Sequence, residues 1–151
     1  MITIITVGKK HDPLLASAIA DYEKRLRAPF DVKWVLLPHS AAEGLVARRS
    51  ESRAILDTLK PTDYVILLDE RGKLLDSPAL SAKLADLAAS AKSIVVIIGG
   101  AYGVDEEMVG RADLVWSLSP LVFPHRLVRL ILSEQLYRAQ SIQAGQKYHH
   151  E

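Results

Sequence analysis

Three short stretches concentrate the groups able to do chemistry: LLDERGK (67–73), IIGGAYG (97–103) and SLSPLVFP (117–124). Gly99, Gly100 and Gly103 follow an apolar run, and glycine there permits positive φ and close approach of backbone to a ligand. Their spacing is G-G-x-x-G, which matches neither the dinucleotide fingerprint nor a G-K-[ST] phosphate loop. A tight strand-to-helix turn and a ligand loop both fit it. Asp105, Glu106 and Glu107 then fall at the start of a short helix. Carboxylates there complement the helix dipole but repel a phosphate, so a ligand at this loop is expected to be phosphate-poor or partly cationic. Asp69 and Glu70 suit acid–base work or ribose binding; D-E-R-G also reads as a turn. In the third stretch Pro120 and Pro124 bracket Leu121, Val122 and Phe123. Proline fixes its own φ and pushes the preceding residue towards extended geometry. The result is a stiff loop with an apolar middle.

A second set of candidates lies beyond that loop. Arg126, Arg129, Ser133 and Tyr137 advance by three or four and share one side of a helix, as a polar stripe. Glu134 and Arg138 are spaced to pair. Leu127, Val128, Leu130, Ile131, Leu132 and Leu136 cover much of the remaining surface, more than one sheet face needs, which points to a second contact such as a subunit interface. Arg129 and Arg138 read either as solubilising surface charge or as partners for something anionic. The tail ends in Tyr148-His149-His150-Glu151. Two adjacent histidines without a third ligand do not make a metal site. Aromatic and imidazole groups beside arginines suit stacking and phosphate contacts to RNA.

The elements that must position these groups alternate along the chain. Ile2–Val7, Val32–Leu37, Tyr64–Leu68, Ile94–Ile98 and Leu114–Trp116 read as strands, short and β-branched or continuously apolar. Helices are expected from Asp12-Pro13 to about Arg27, over Ser40–Leu59, from Ser77-Pro78 to about Ser90, and over Arg126–Ile142. Such alternation predicts an α/β fold, a mostly parallel sheet with helices on both faces. In these sheets ligands sit beyond the carboxyl ends of the strands, so the three stretches are expected at one edge. Arg48 to Arg53 reads as a basic patch or a solvated helix face.

Composition sets the bounds. A chain of 151 residues, 49% hydrophobic and 25% charged, is expected to form one domain, residues 1–151. It has no cysteine, so no disulfide framework or thiolate metal site forms, and this fits a cytoplasmic location. The longest strongly apolar run, Ile94 to Ile98, is far too short to span a bilayer. The start, MITIITVGKK, lacks the order of a signal peptide. A formal net charge of +1 means that any RNA-binding surface must be local.

LLDERGK, IIGGAYG, SLSPLVFPHRLVRLILSEQLYRAQSI and the terminal YHHE, in this order and at these spacings, resemble the large-subunit ribosomal RNA methyltransferase H family of the SPOUT (trefoil-knot) class. The resemblance covers essentially the whole chain and is most specific from Ser117 to Ile142. It implies a C-terminal trefoil knot, a homodimer, and S-adenosylmethionine as methyl donor to N3 of a pseudouridine in 23S rRNA, on assembled ribosomes. By matching motif positions it implies that Leu68, Gly99, Gly100, Leu118, Ser119, Pro120, Leu121, Val122 and Phe123 contact the cofactor. It also implies that the last helix lies at the dimer interface and that the tail of one subunit reaches the site of the other. Tyr148 and His149 match the terminal motif. Lys147 stands where proline is common, and His150 where arginine or lysine also occurs.

On this reading Tyr148, His149 and Arg138 form the catalytic set, and Arg129, Arg138 and His150 contact RNA. No metal is required; His125 and Glu134 are weaker acid–base candidates. Two rivals remain from other classes. One is a nucleotide-binding α/β enzyme, against which the acidic residues after Gly103 speak. The other is a non-catalytic RNA- or ribosome-binding protein.

Overall fold

The computed structural model describes residues 1–150. Five strands, β1 (Ile2–Val7), β2 (Val32–Leu37), β3 (Asp63–Leu74), β4 (Ser93–Ile98) and β5 (Leu114–Ser117), form one sheet in the order β2-β1-β4-β3-β5. Every pairing is parallel. Five helices connect or follow them: α1 (Ala16–Arg25), α2 (Gly44–Thr58), α3 (Ser77–Ala89), α4 (Glu106–Arg111) and α5 (His125–Gln143).

Side chains alternate across each strand, so the sheet builds two cores. Ile2, Ile4, Ile66, Ile94 and Val96 pack with Leu80, Leu84, Leu132 and Leu136 of α3 and α5. Ile5, Val7, Val65, Leu67, Val95 and Ile97 pack with Ile55 and Met108 of α2 and α4. The central strands are apolar on both faces because both faces are covered. On the first face α5 runs between α1 and α3.

Three elements differ from the sequence expectation. Asp12 does not start α1. It closes a separate turn by accepting from Leu14 N at 2.8 Å, and α1 begins three residues after Pro13. The α2 helix begins at Gly44, because the preceding residues form a loop whose Ser40 amide donates to Glu51 at 2.9 Å. And β3 continues past Leu68 to Leu74, with a register shift against β5: both Leu68 and Lys73 face Trp116. The DERG residues form an excursion within one strand.

That excursion brings two chain segments into close approach. A methyl group on Gly72 would lie 2.5 Å from the Val115 carbonyl oxygen and 2.8 Å from the Trp116 amide. Backbone cannot yield as a side-chain tip can, so only glycine fits where β5 passes the excursion.

Candidate functional site

Because all strands are parallel, their carboxyl ends share one edge, and the loops after β3, β4 and β5 converge there. They enclose a cleft of about 1550 Å³. Leu68, Gly99, Gly100, Leu118, Ser119, Leu121, Val122 and Phe123 line it, joined by His125 and Val128 of α5. Of the residues expected to contact a cofactor, Pro120 does not line the cleft. It is exposed, and acts on the loop's shape. The loop is tied locally: Ser117 Oγ donates to the Ser119 carbonyl at 2.9 Å, and Leu121 N to Ser119 Oγ at 3.0 Å. Leu121 and Val122 are 68% and 76% exposed, an apolar surface held open to solvent.

The opposite wall is acidic. Asp69, Glu70, Asp105, Glu106 and Glu107 line it, against Arg48, Arg49 and Arg71. Asp105 caps α4 by accepting from Met108 N at 3.0 Å. Asp69 accepts three hydrogen bonds from Arg71, its backbone amide at 2.9 Å and its guanidinium at 2.9 and 2.8 Å. The Arg71 hydrogen bonds hold the Asp69 carboxyl below the usual carboxylate range, so it stays ionised. Asp69 is spent on this local contact with Arg71 inside β3, and Glu70 stays exposed. Arg48 donates to the Tyr102 carbonyl at 2.7 Å and Arg53 to Glu107 at 2.6 Å. Much of the α2 charge is therefore tied to the cleft wall.

The floor beneath Gly100 is set by Glu51. A methyl group on Gly100 would meet Glu51 Oε1 at 2.7 Å and Val7 at 3.3 Å. Glu51 is only 5% exposed, and its Oε1 has no hydrogen-bond partner among the described residues.

Arg129 overturns an expectation. The side of α5 holding Arg129 and Ser133 faces inward: the two are 1% and 3% exposed. The Arg129 guanidinium donates to the carbonyls of Lys10, Val7 and Gly8, each at 3.0 Å, and lies 3.2 Å from His11 Nδ1. A side chain this deeply enclosed, with its fork spent on three carbonyls, cannot reach an RNA phosphate. The assignment of Arg129 to RNA contact is corrected: it clamps the loop after β1. Burial pushes its pKa down. Burial, then the nearby Arg129 charge, lowers the pKa of both His11 and His125; both imidazoles are held towards the neutral form.

Arg138, at the other end of α5, pairs with Glu134 at 2.7 Å as the spacing predicts. The tail folds back onto it. His149 Nδ1 lies 3.2 Å from the Arg138 guanidinium, which also stands 4.8 Å over the Tyr148 ring. Tyr148 donates to Glu134 at 3.3 Å and packs edge-on against Tyr137. Burial, then the Tyr22 hydroxyl and the Glu134 charge, pushes the Tyr148 phenol well above its ordinary pKa. The phenol is thereby held in its protonated, hydrogen-bond-donating form. Arg138, Tyr148 and His149 come together, while His150 is exposed. None of these four lines the cleft.

Comparison with known proteins decides the family. A family model described as "Predicted SPOUT methyltransferase" matches residues 1–149. The chain belongs to the SPOUT methyltransferase family. It is 41% identical to the ribosomal RNA large subunit methyltransferase H of Clostridium novyi and 40% identical to that of Alkaliphilus oremlandii, covering 98% of each chain in both cases. A solved structure of the ribosomal RNA small subunit methyltransferase E of Neisseria gonorrhoeae, bound to S-adenosyl methionine, shares the fold. Its TM-score is 0.51 at 13% identity, over 96% of this chain and 66% of that one.

Within this SPOUT methyltransferase the family motifs and the geometry divide into two groups. The cleft gathers residues of three loops, and the tail network gathers Arg138, Tyr148 and His149. The sequence reading missed Glu51, although Ala47, Glu51 and Ile55 are spaced by four and share the buried face of α2; that spacing was the available signal. It also missed Gly72, whose need for close approach depends on a strand pairing that spacing does not reveal. Among the described residues no helix is long and apolar enough to cross a membrane, and no three acidic or histidine side chains group as metal ligands.

Proposed function

We propose that this protein transfers the methyl group of S-adenosylmethionine to N3 of a pseudouridine in 23S rRNA, in the cytoplasm and on assembled ribosomes. The observation that carries the reading is the cleft: a stiff apolar loop faces a carboxylate-lined wall. A cofactor with a purine, a sulfonium and an ammonium group needs that pairing, because apolar surface covers the purine and carboxylates complement the cations. A triphosphate would be repelled by Asp105, Glu106 and Glu107, which disfavours the nucleotide-enzyme alternative. The cofactor supplies an electrophilic methyl group for in-line transfer. Leu68, Gly99, Gly100 and the loop 118–123 would hold it, with Pro120 stiffening that loop from outside.

Arg138, Tyr148 and His149 would seat the target base, with Arg138 and His150 contacting RNA phosphate. Holding two reactants in line can remove on the order of 7–11 kcal/mol of barrier at best, so positioning suffices without covalent catalysis. Tyr148, kept protonated, would hold the base by hydrogen bonding. The N3 proton would leave to His149 or to water. In one chain the tail network stands apart from the cleft. This supports a homodimer in which each tail serves the other subunit. Leu127, Leu130 and Ile131 of α5 remain partly exposed outside both cores, as an interface helix requires. The pass of Val115–Trp116 against Gly72 supports threading of the chain as a trefoil knot.

The deciding experiment is mass spectrometry of 23S rRNA fragments from cells with and without the gene. Loss of one methylated pseudouridine is the expected result; an unchanged pattern removes the proposal. Failure of purified protein to transfer label from S-adenosylmethionine to ribosomes of the deletion strain would favour the non-catalytic RNA-binding alternative.

A further inference from the structure

We propose that the loop after β1, carrying Lys9 and Lys10, is a docking surface for the phosphate backbone of the RNA substrate. This rests on the rRNA methyltransferase reading and goes beyond it, since neither lysine belongs to the cleft or to the tail network.

The strand edge is divided electrostatically. Its β3–β4 portion carries the acidic wall of the cleft. Beyond β1 the balance reverses. Lys9 and Lys10 are both exposed, and neither has a salt-bridge partner among the described residues. The nearby carboxylate, Asp12, is already engaged with Arg126 at 3.3 Å and with Leu14 N. Arg129 adds a buried cation directly beneath the loop, bound to carbonyls and to no carboxylate. A buried charge with no counter-charge is screened far less than a surface one, so its field reaches the loop surface.

Geometry fixes the loop as firmly as charge marks it. The carbonyls of Val7, Gly8 and Lys10 all accept from Arg129. The backbone that carries the two lysines is therefore held on the inside, and their side chains are left free outside. The loop also continues from the cleft. His125 lines the cleft, its ring lies 6.2 Å from that of His39, and His39 touches the space beside Gly8. An RNA strand delivering a base to the cleft can run its phosphates along this basic side without crossing the acidic wall. Among other basic residues at this edge, Arg48 is tied to the Tyr102 carbonyl and Arg53 to Glu107, while Arg49 is exposed and lines the cleft itself.

The test is co-sedimentation of full-length protein with ribosomes from the deletion strain, with salt varied between about 50 and about 200 mM. We expect Lys9→Ala combined with Lys10→Ala to weaken binding about tenfold at 0.1 M salt. It should also flatten the logarithmic salt slope by about 1.5–2, since each lost phosphate contact removes about 0.7–0.9. The control pair is Lys60→Ala with Lys92→Ala, exposed lysines before β3 and β4 at the far edge; it should leave both quantities unchanged. Calorimetry should give an unaltered affinity for S-adenosylmethionine. In steady state the KM for ribosomes should rise at constant kcat. An unchanged RNA affinity and slope, an equal loss in the control pair, or an altered oligomeric state would each overturn the docking surface. If the wild-type protein binds RNA through these lysines yet transfers no methyl group, the docking stands and the methyltransferase reading falls.

Discussion

Arg129 and Arg138 lie nine positions apart towards opposite ends of α5, and they are built on different principles. Arg129 is sealed inside, 1% exposed, and its partners are backbone carbonyls. Arg138 is about a quarter exposed, and its partners are side chains: Glu134, His149 and the Tyr148 ring. The Val7 carbonyl is fixed by β1, and those of Gly8 and Lys10 converge with it on one guanidinium, so the first end has one arrangement. Side-chain partners have rotamers and water as alternatives, so the second can exchange contacts. A rigid end beside the cleft and an exchangeable end bearing the tail suit a site assembled from two subunits. On the proposed function the cofactor portion would be preformed, and the base-seating portion would close over it.

The sharpest way to break this contrast is to remove the buried guanidinium. Arg129→Met leaves three carbonyl oxygens enclosed without their donor. Each buried acceptor so stranded costs about 1–3 kcal/mol, offset in part by relief of the buried charge. We expect a net loss of about 3–5 kcal/mol, read as a lower urea midpoint at unchanged slope. A variant of wild-type stability that had lost only RNA affinity would restore the surface role and refute the clamp.

At the other end the effect should move from stability to rate. Arg138→Ala and Tyr148→Phe each disturb a partly exposed network, so stability should change by about 1 kcal/mol or less. Methyl transfer to ribosomes should fall about 100-fold for Arg138→Ala, which corresponds to about 2.7 kcal/mol of barrier. If that variant transfers at the wild-type rate, the tail network is structural and the catalytic assignment fails. Tyr148→Phe keeps the ring stacked under Arg138 and removes only the hydroxyl. Because the phenol is held protonated, the variant should lower the rate without changing its pH profile, whereas a lost phenolate base would change that profile.

The sequence made the rigid end only partly legible. Continuous apolar strands announced the parallel sheet, and the proline-bracketed loop announced itself as stiff. Spacing put Arg129, Ser133 and Tyr137 on one helix side but gave no sign of whether that side faced water or the sheet. A polar stripe looks the same in both cases. The answer lies in the strand order, which brings the end of β1 under α5, and strand order is not local information. The same holds for the loop after β1. The three loops expected at the ligand edge were those with recognisable glycine, acidic or proline chemistry; GKKHDP joins them through topology alone. Glu134 and Arg138 were readable as a pair because both lie on one helix, where spacing is geometry.

Gly100 tests the rigid end from inside the cleft. Gly100→Ala would place a methyl group 2.7 Å from Glu51 Oε1 and 3.3 Å from Val7. Overpacking of this kind costs about 1–3 kcal/mol, and affinity for S-adenosylmethionine should fall with it. The obstacle is a side chain, so it can be removed. Combining Gly100→Ala with Glu51→Ala should recover part of the stability lost in the single variants, a coupling measurable in a double-mutant cycle. Strict additivity would show that Glu51 does not set the floor of the glycine loop.

The smallest effect expected is a pH dependence confined to the Arg129 end. His11 and His125 have folded-state pKa values below the unfolded value of 6.5, through burial first and the Arg129 charge second. A depressed histidine favours the folded state in its neutral form. Above pH 6.5 neither state binds the proton, and the full stability is present. As pH falls below 6.5 the unfolded chain takes up protons first, so stability declines until the folded pKa is passed. Both groups contribute to that decline in the same direction. His125→Gln should flatten the decline in stability as pH falls below 6.5. If His125→Gln left the profile unchanged, the titrating groups would lie away from the Arg129 end of the helix. The division between a sealed and an exchangeable end would then have to be redrawn.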